Sequence, residues 1–190
     1  MNSNIEISKA AYLDIDGVLA LQSKYLVSNL TALEKKDGFV TTPFTVKQIE
    51  QIILEDGLFI AKHQHQIIAY VYAGSWDYFS QWPIFPFMTN RFIDLSFNNT
   101  ALSTSNSFQY GPVCIDMAYR GKGLLNRIFE YMRLSFKDKY PISITFINKV
   151  NERSTKAHVG KLKWQIIDEF EFNDNNFLML AIDMHISVLE

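Results

Sequence analysis

The sequence predicts an α+β fold: a mixed, strongly twisted sheet of about six or seven strands flanked by helices. Three observations carry that prediction. Short runs of β-branched and aromatic residues recur along the whole chain. Between them lie stretches whose apolar residues repeat at helical spacing. One strand, finally, runs through a glycine turn straight into the most regular of those helices. At 190 residues, 48% of them hydrophobic and 20% charged, the chain suits a single domain over 1–190 with a proper core.

Taken in order, Ile5 and Ile7 alternate with polar neighbours and predict a first strand. Leu13 to Leu30 carries Ile15, Val18, Leu19, Leu21, Tyr25 and Leu26 at helical spacing. Thr41-Thr-Pro-Phe-Thr interrupts it, and Thr45 is placed to cap a second helix holding Val46, Ile49, Ile52 and Ile53, with Gly57 ending it. Leu58–Lys62 and Ile67–Tyr72 flank the polar His63-Gln-His-Gln, a hairpin signature. Ser75 to Ser107 holds eight aromatic residues, two prolines and a polar Asn98-Asn-Thr tract, and reads as an elaborated connection with some helix in it. Phe108–Asp116 is a strand that Pro112 must leave bulged or locally unpaired. Leu124–Phe136 presents Leu125, Ile128, Phe129, Met132 and Phe136 on one helix face. Ile142–Ile147 is a strand, Asn151 opens a polar helix, and Trp164–Phe172 with Phe177–Ile182 form a last hairpin around Asn173-Asp-Asn-Asn.

Composition excludes several functions. The net charge is −2, and no basic block interleaves with aromatics, so a nucleic-acid partner is not expected. A single cysteine, Cys114, allows neither an intramolecular disulfide nor a multi-cysteine metal cage, and no metal is expected. His63 and His65 read as solvated turn residues. The first residues lack a basic start and apolar run, and no apolar stretch approaches the ~20 residues of a membrane span, so the expectation is a cytoplasmic protein without a membrane partner.

The segment that carries chemistry is Tyr110-Gly-Pro-Val-Cys-Ile-Asp-Met-Ala-Tyr-Arg-Gly-Lys-Gly-Leu-Leu-Asn-Arg-Ile. Gly121 and Gly123 let the backbone turn tightly, and the helix behind them offers free N–H groups and the positive end of its dipole to a phosphate. Arg120 and Lys122 add charge. The spacing matches neither a P-loop nor a dinucleotide fingerprint, and an ordinary glycine turn before a helix is the alternative.

Ile115-Asp-Met-Ala-Tyr-Arg-Gly-Lys-Gly-Leu-Leu resembles the central motif of the GNAT superfamily of acetyltransferases, Arg/Gln-x-x-Gly-x-Gly/Ala. Arg120 and Gly123 match its first two fixed positions; Leu125 stands where glycine or alanine is usual. The order of elements also resembles the family's. The resemblance implies a GNAT-like acyl-CoA N-acyltransferase fold splayed at the central strands, and acetyl-CoA as co-substrate. It implies direct transfer of acetyl to a primary amine of a small molecule, amino acid or peptide. Val113, Cys114 and Ile115 would line the splayed strand beside the pantetheine arm, and Arg120, Gly121, Lys122, Gly123, Leu124 and Leu125 would cradle the pyrophosphate.

Asn151-Glu-Arg-Ser-Thr-Lys-Ala-His resembles the family's Asn-x-x-Ser/Ala helix start, which would turn Asn151 and Ser154 to the cofactor. His158 falls at the distance from Asn151 where the family usually has a tyrosine, and is the candidate acid for the leaving thiolate. A helix histidine with no such role is the alternative. Asp116 and Tyr110 are candidates for the base. Arg91 is a candidate anchor for a substrate carboxylate. A homodimer is compatible with the sequence, which does not specify it, and a non-catalytic acyl-CoA binding module is the alternative function.

Overall fold

A computed structural model describes residues 5–189 of the chain. Its strands are β1 (Ile5–Lys9), β2 (Leu58–His63), β3 (Gln66–Gly74), β4 (Ser96–Phe97), β5 (Thr100–Ala101), β6 (Ser107–Ile115), β7 (Ile142–Asn148), β8 (Gln165–Phe172) and β9 (Asn175–Asp183). The helices are α1 (Ile15–Tyr25), α2 (Val46–Leu54), α3 (Trp76–Phe79), α4 (Ile84–Asn90), α5 (Leu124–Phe136) and α6 (Glu152–Thr155). Seven strands form one mixed sheet in the order β1-β2-β3-β6-β7-β9-β8, while β4 and β5 pair separately. The chain divides into two compact units, one of residues up to Ala73 with Gly111–Met132, the other of Gly74–Tyr110 with Arg133–Val188.

In the first unit, β1, β2 and β3 form an antiparallel meander. The β2–β3 turn places Gln64 and His65 at φ of 51° and 67°, the double left-handed geometry that matches strand twist in a two-residue hairpin. Thr45 caps α2 by a full capping box: its hydroxyl accepts from the Gln48 N–H, and Gln48 reaches back to the Thr45 N–H. Helix α1 ends at Tyr25, five residues short of the expected Leu30. The reason is local competition: Val40 donates to the Tyr25 carbonyl and Val27 to the Val40 carbonyl, so Leu26 leaves the helix to bridge Val40. Ile49, Ile52, Phe59, Ile60, Tyr70 and Tyr72 fill the core, and Phe44 stacks on Tyr72 at 4.2 Å.

In the second unit, β7 pairs with β9 antiparallel along its whole length, and β8 hairpins onto β9 through Asn173 and Asp174, again both at positive φ. The parallel β6–β7 ladder is short, three register pairs from Ser107↔Ile142 to Gln109↔Ile144. Past it, the Gly111–Pro112 peptide is cis, where the sequence predicted an interruption. The aromatic connection is mostly core: Trp76, Tyr78, Phe79, Phe85, Phe92 and Phe97 are buried, while Phe87 is exposed. Trp76 Nε1 donates to Ser107 Oγ at 3.1 Å, Phe85 packs on Phe146, and Phe87 lies on Phe170 and Phe172. Burial of so many large rings supplies several kcal/mol of apolar stabilisation, about 1.5–3 kcal/mol for each fully buried ring.

Candidate functional site

The turn from Asp116 to Leu125 lies in the first unit and is built almost wholly from side chains that brace its own backbone. Asp116 caps the 3-10 turn Met117–Tyr119 through its carboxylate, which accepts from the Ala118 N–H at 3.0 Å. The same carboxylate pairs with Lys24 at 2.7 Å. Burial pushes the Asp116 carboxyl upward, but the Lys24 and Ala118 hydrogen bonds outweigh it and hold the group ionised below its ordinary range. Lys122 turns its ammonium back to the Ala118 carbonyl at 2.8 Å. Arg120 donates from Nε to the Ile115 carbonyl at 2.7 Å and from Nη1 to the Asp37 carbonyl, over the face of Tyr25. The Arg120 N–H is likewise spent, on the Met117 carbonyl.

What remains open is main chain. Gly121 and Gly123 both sit at φ of +76°, with nothing within 4 Å of where a Cβ would stand. Helix α5, of 13 residues, begins immediately after, at Leu124. Among the described residues, the N–H groups of 121–125 have no protein acceptor. A row of unsatisfied N–H groups at the positive end of a helix dipole, in a turn with clear space around it, has the geometry that suits an anion.

On β6, Val113 and Ile115 are half-buried and Cys114 is buried. Burial pushes the Cys114 thiol up to about 12, which makes it an inert packing residue. A cleft of about 580 Å³ in the same unit is bounded by Gly17, Ala20, Lys24, His65, Ile67 and Asp116. His63, expected to be solvated, instead places Nδ1 2.6 Å from the Tyr119 hydroxyl; His65 is exposed as expected.

The second unit holds Tyr110, Asn151, Ser154 and His158. Asn151 accepts from the Ser154 N–H at 3.2 Å and so caps α6. The helix then widens into a π-turn over Lys156–Lys161, and Ser154 Oγ lies 3.3 Å from His158 Nδ1. His158 is turned inward, 3% exposed, against the rings of Tyr110 and Trp164 at 5.6 and 6.0 Å. Its Nδ1 lies 2.8 Å from the Ser154 carbonyl, so that nitrogen carries the proton. Burial lowers its pKa to about 4 despite that hydrogen bond, and the ring is neutral at physiological pH. This is the setting of a core histidine, not of an acid waiting for a thiolate. Burial also raises the Tyr110 phenol far above its ordinary range, so it stays protonated and is no base. Arg91, the candidate carboxylate anchor, is paired with Asp168 at 2.6 Å.

No protein-family model matches the chain, and no curated protein matches it in sequence. Solved structures do. Salmonella typhimurium yncA, solved with its cofactor acetyl-CoA, is similar at a TM-score of 0.62 and 12% identity, over 96% of this chain and 95% of that one. A GNAT-family acetyltransferase from Streptococcus agalactiae 2603 gives 0.62 and 14%, over 94% and 95%. The polyamine N-acetyltransferase of Drosophila melanogaster, which forms N-acetylagmatine, gives 0.65 and 12%, over 95% and 100%.

The chain has the GNAT acetyltransferase fold.

Within that fold, three participants in the turn escaped the sequence reading. Tyr25 lies within the helical pattern expected over Leu13 to Leu30, and the sequence marks neither Lys24 nor Asp37 for the turn. The Asp37 partner is a carbonyl, for which sequence carries no signal. Tyr25 alone left a trace, as an aromatic at the end of an apolar stripe. Its hydroxyl accepts from the Met117 N–H at 2.7 Å.

Proposed function

We propose that the chain is an acetyl-CoA-dependent N-acetyltransferase, moving the acetyl group directly to a primary amine of a small molecule, amino acid or peptide. The observation that carries the reading is the open row of N–H groups at residues 121–125, behind two left-handed glycines. The pyrophosphate of acetyl-CoA is the anion that suits it. The fold is that of neighbours named as acetyltransferases, one of them with acetyl-CoA bound and one acting on a polyamine. In this reading Gly121, Lys122, Gly123, Leu124 and Leu125 bind the cofactor through backbone, and Val113 to Ile115 flank its arm. The acceptor then arrives as a free amine, since ionised Asp116 is a weak base toward an ammonium.

A second reading is favoured by one specific finding. Each residue expected to move protons is committed elsewhere: His158 and Tyr110 to the core, Asp116 to Lys24. A non-catalytic acyl-CoA binding module would have such a site. Titration of acetyl-CoA into the protein by calorimetry, followed by thiol release over a panel of amines, separates the two. Binding with amine-dependent thiol release supports the enzyme. Binding without release supports the module, and no binding to well-folded protein defeats both.

A further inference from the structure

The leading arginine of such a motif invites one use, a positive charge set against phosphate. In this protein its guanidinium is engaged in a different direction. Nε holds the carbonyl of Ile115, the last residue of β6, at 2.7 Å. Nη1 holds the carbonyl of Asp37, at the end of the 3-10 turn Glu34–Asp37. The guanidinium carbon lies 4.8 Å from the centroid of the Tyr25 ring. Tyr25 is buried and itself accepts from Met117, while Lys24 beside it pairs with Asp116. The stretch 27–39 leaves α1 at Tyr25 and is closed at its base by the Val27–Val40 and Val40–Tyr25 hydrogen bonds. Arg120 holds it at Asp37, three residues before Val40. Planar donors at fixed angles and a stackable face make this an arginine's task, which a lysine cannot repeat.

We propose that Arg120 is a positioning residue: a strut that fixes the turn 116–123 and the loop 27–39 against each other, so that the anion receptor and the loop are built together. The coupling is reciprocal. An anion that settles the turn tightens the loop, and a loosened loop weakens the receptor. The strut itself stands on the contacts above; its effect on cofactor affinity rests on the reading that residues 121–125 take the phosphates of acetyl-CoA.

The test compares the wild type with Arg120→Lys, Arg120→Gln and Gly38→Ala. Gly38 follows Asp37 at φ of 89°, so alanine there shifts the Asp37 carbonyl while leaving Arg120 and the turn untouched in sequence. Two quantities are read: acetyl-CoA affinity by calorimetry, and amide exchange of residues 27–39 in the free protein. A strut predicts that Arg120→Lys loses affinity about as much as Arg120→Gln, roughly tenfold for two hydrogen bonds and a ring contact, despite the retained charge. It also predicts faster exchange over 27–39 in both, and a several-fold affinity loss in Gly38→Ala. Arg120→Lys binding within about twofold of wild type while Arg120→Gln fails would mean a charge contact and overturn the proposal. Unchanged exchange in Arg120→Lys would overturn it too. Should the Arg120 variants not fold, Gly38→Ala decides, and wild-type affinity there is the failing result. If the wild type itself binds no acetyl-CoA, the cofactor reading falls, and the exchange comparison still judges the strut.

Discussion

Two stretches of this chain resemble family signatures, Ile115–Leu125 and Asn151–His158, and the turn Asp116–Leu125 and the stretch Asn151–Trp164 that hold them use their polar groups in opposite ways. In the turn every charged side chain is folded back onto the protein's own backbone, and the unsatisfied groups are main-chain N–H. In the second stretch the helix start is capped, the backbone is closed by a π-turn, and the histidine is buried neutral. A motif built from backbone N–H groups does not depend on which side chain stands at Leu125. A site built from side chains does not survive their burial.

The largest expected break in this contrast falls on the second stretch. Trp164 is 1% exposed and carries the rings of Tyr110 and His158. Trp164→Ala should destabilise the fold by about 3–5 kcal/mol, read as a lower denaturant midpoint. If this stretch were a loosely held binding face, the midpoint would hardly move.

His158 sharpens the same point through pH. Burial disfavours its charged form, taking the pKa from 6.5 to about 4 in the fold. Between those values the unfolded chain binds a proton that the folded chain refuses, so stability is lost as pH falls from about 6.5 toward 4. The full effect is on the order of 3 kcal/mol for one fully buried group. His158→Gln should flatten that part of the stability profile, with chemical denaturation at several pH values as the measurement. A profile that keeps its slope in the variant would show His158 to be exposed or already charged.

Much of this architecture is legible along the sequence because its signals are local. Helix α5 matches the expected Leu124–Phe136, since a five-residue apolar face and a preceding glycine turn specify it without help. Thr45 with Gln48 announces a helix start, and Asn173-Asp174 a hairpin. What stays hidden depends on distant partners. Leu26 leaves a good helical pattern only because Val40 offers it a bridge. The direction of the Arg120 side chain is set by Asp37, 83 residues away, and by a ring at the end of α1. The burial of His158 depends on Tyr110 and Trp164, and on a π-turn for which its own residues give no cue. The open receptor is the legible half of the candidate site, because glycines at left-handed φ and a helix start lie within one short string.

Gly123→Ala addresses that half directly. At φ of +76° an alanine meets no neighbour, so the penalty is backbone strain alone, about 1–2 kcal/mol. The turn relieves it by rotating, which disperses the row of N–H groups. Acetyl-CoA affinity should drop about tenfold while the core of the other unit is unaffected. Affinity equal to wild type would place the receptor elsewhere.

The smallest effect belongs to the frame around the turn. Lys24 is 58% exposed at its side chain and Asp116 18%, so their pair is largely screened by water and salt. Lys24→Met should change stability by about 0.5 kcal/mol or less. Asp116 should stay ionised, because its hydrogen bond from Ala118 persists. Thermal unfolding in low and high salt measures both consequences: a small loss in the variant at low salt, and none at high salt. A loss of several kcal/mol would mean that Lys24 carries the turn, and that a charged side chain rather than backbone is its foundation.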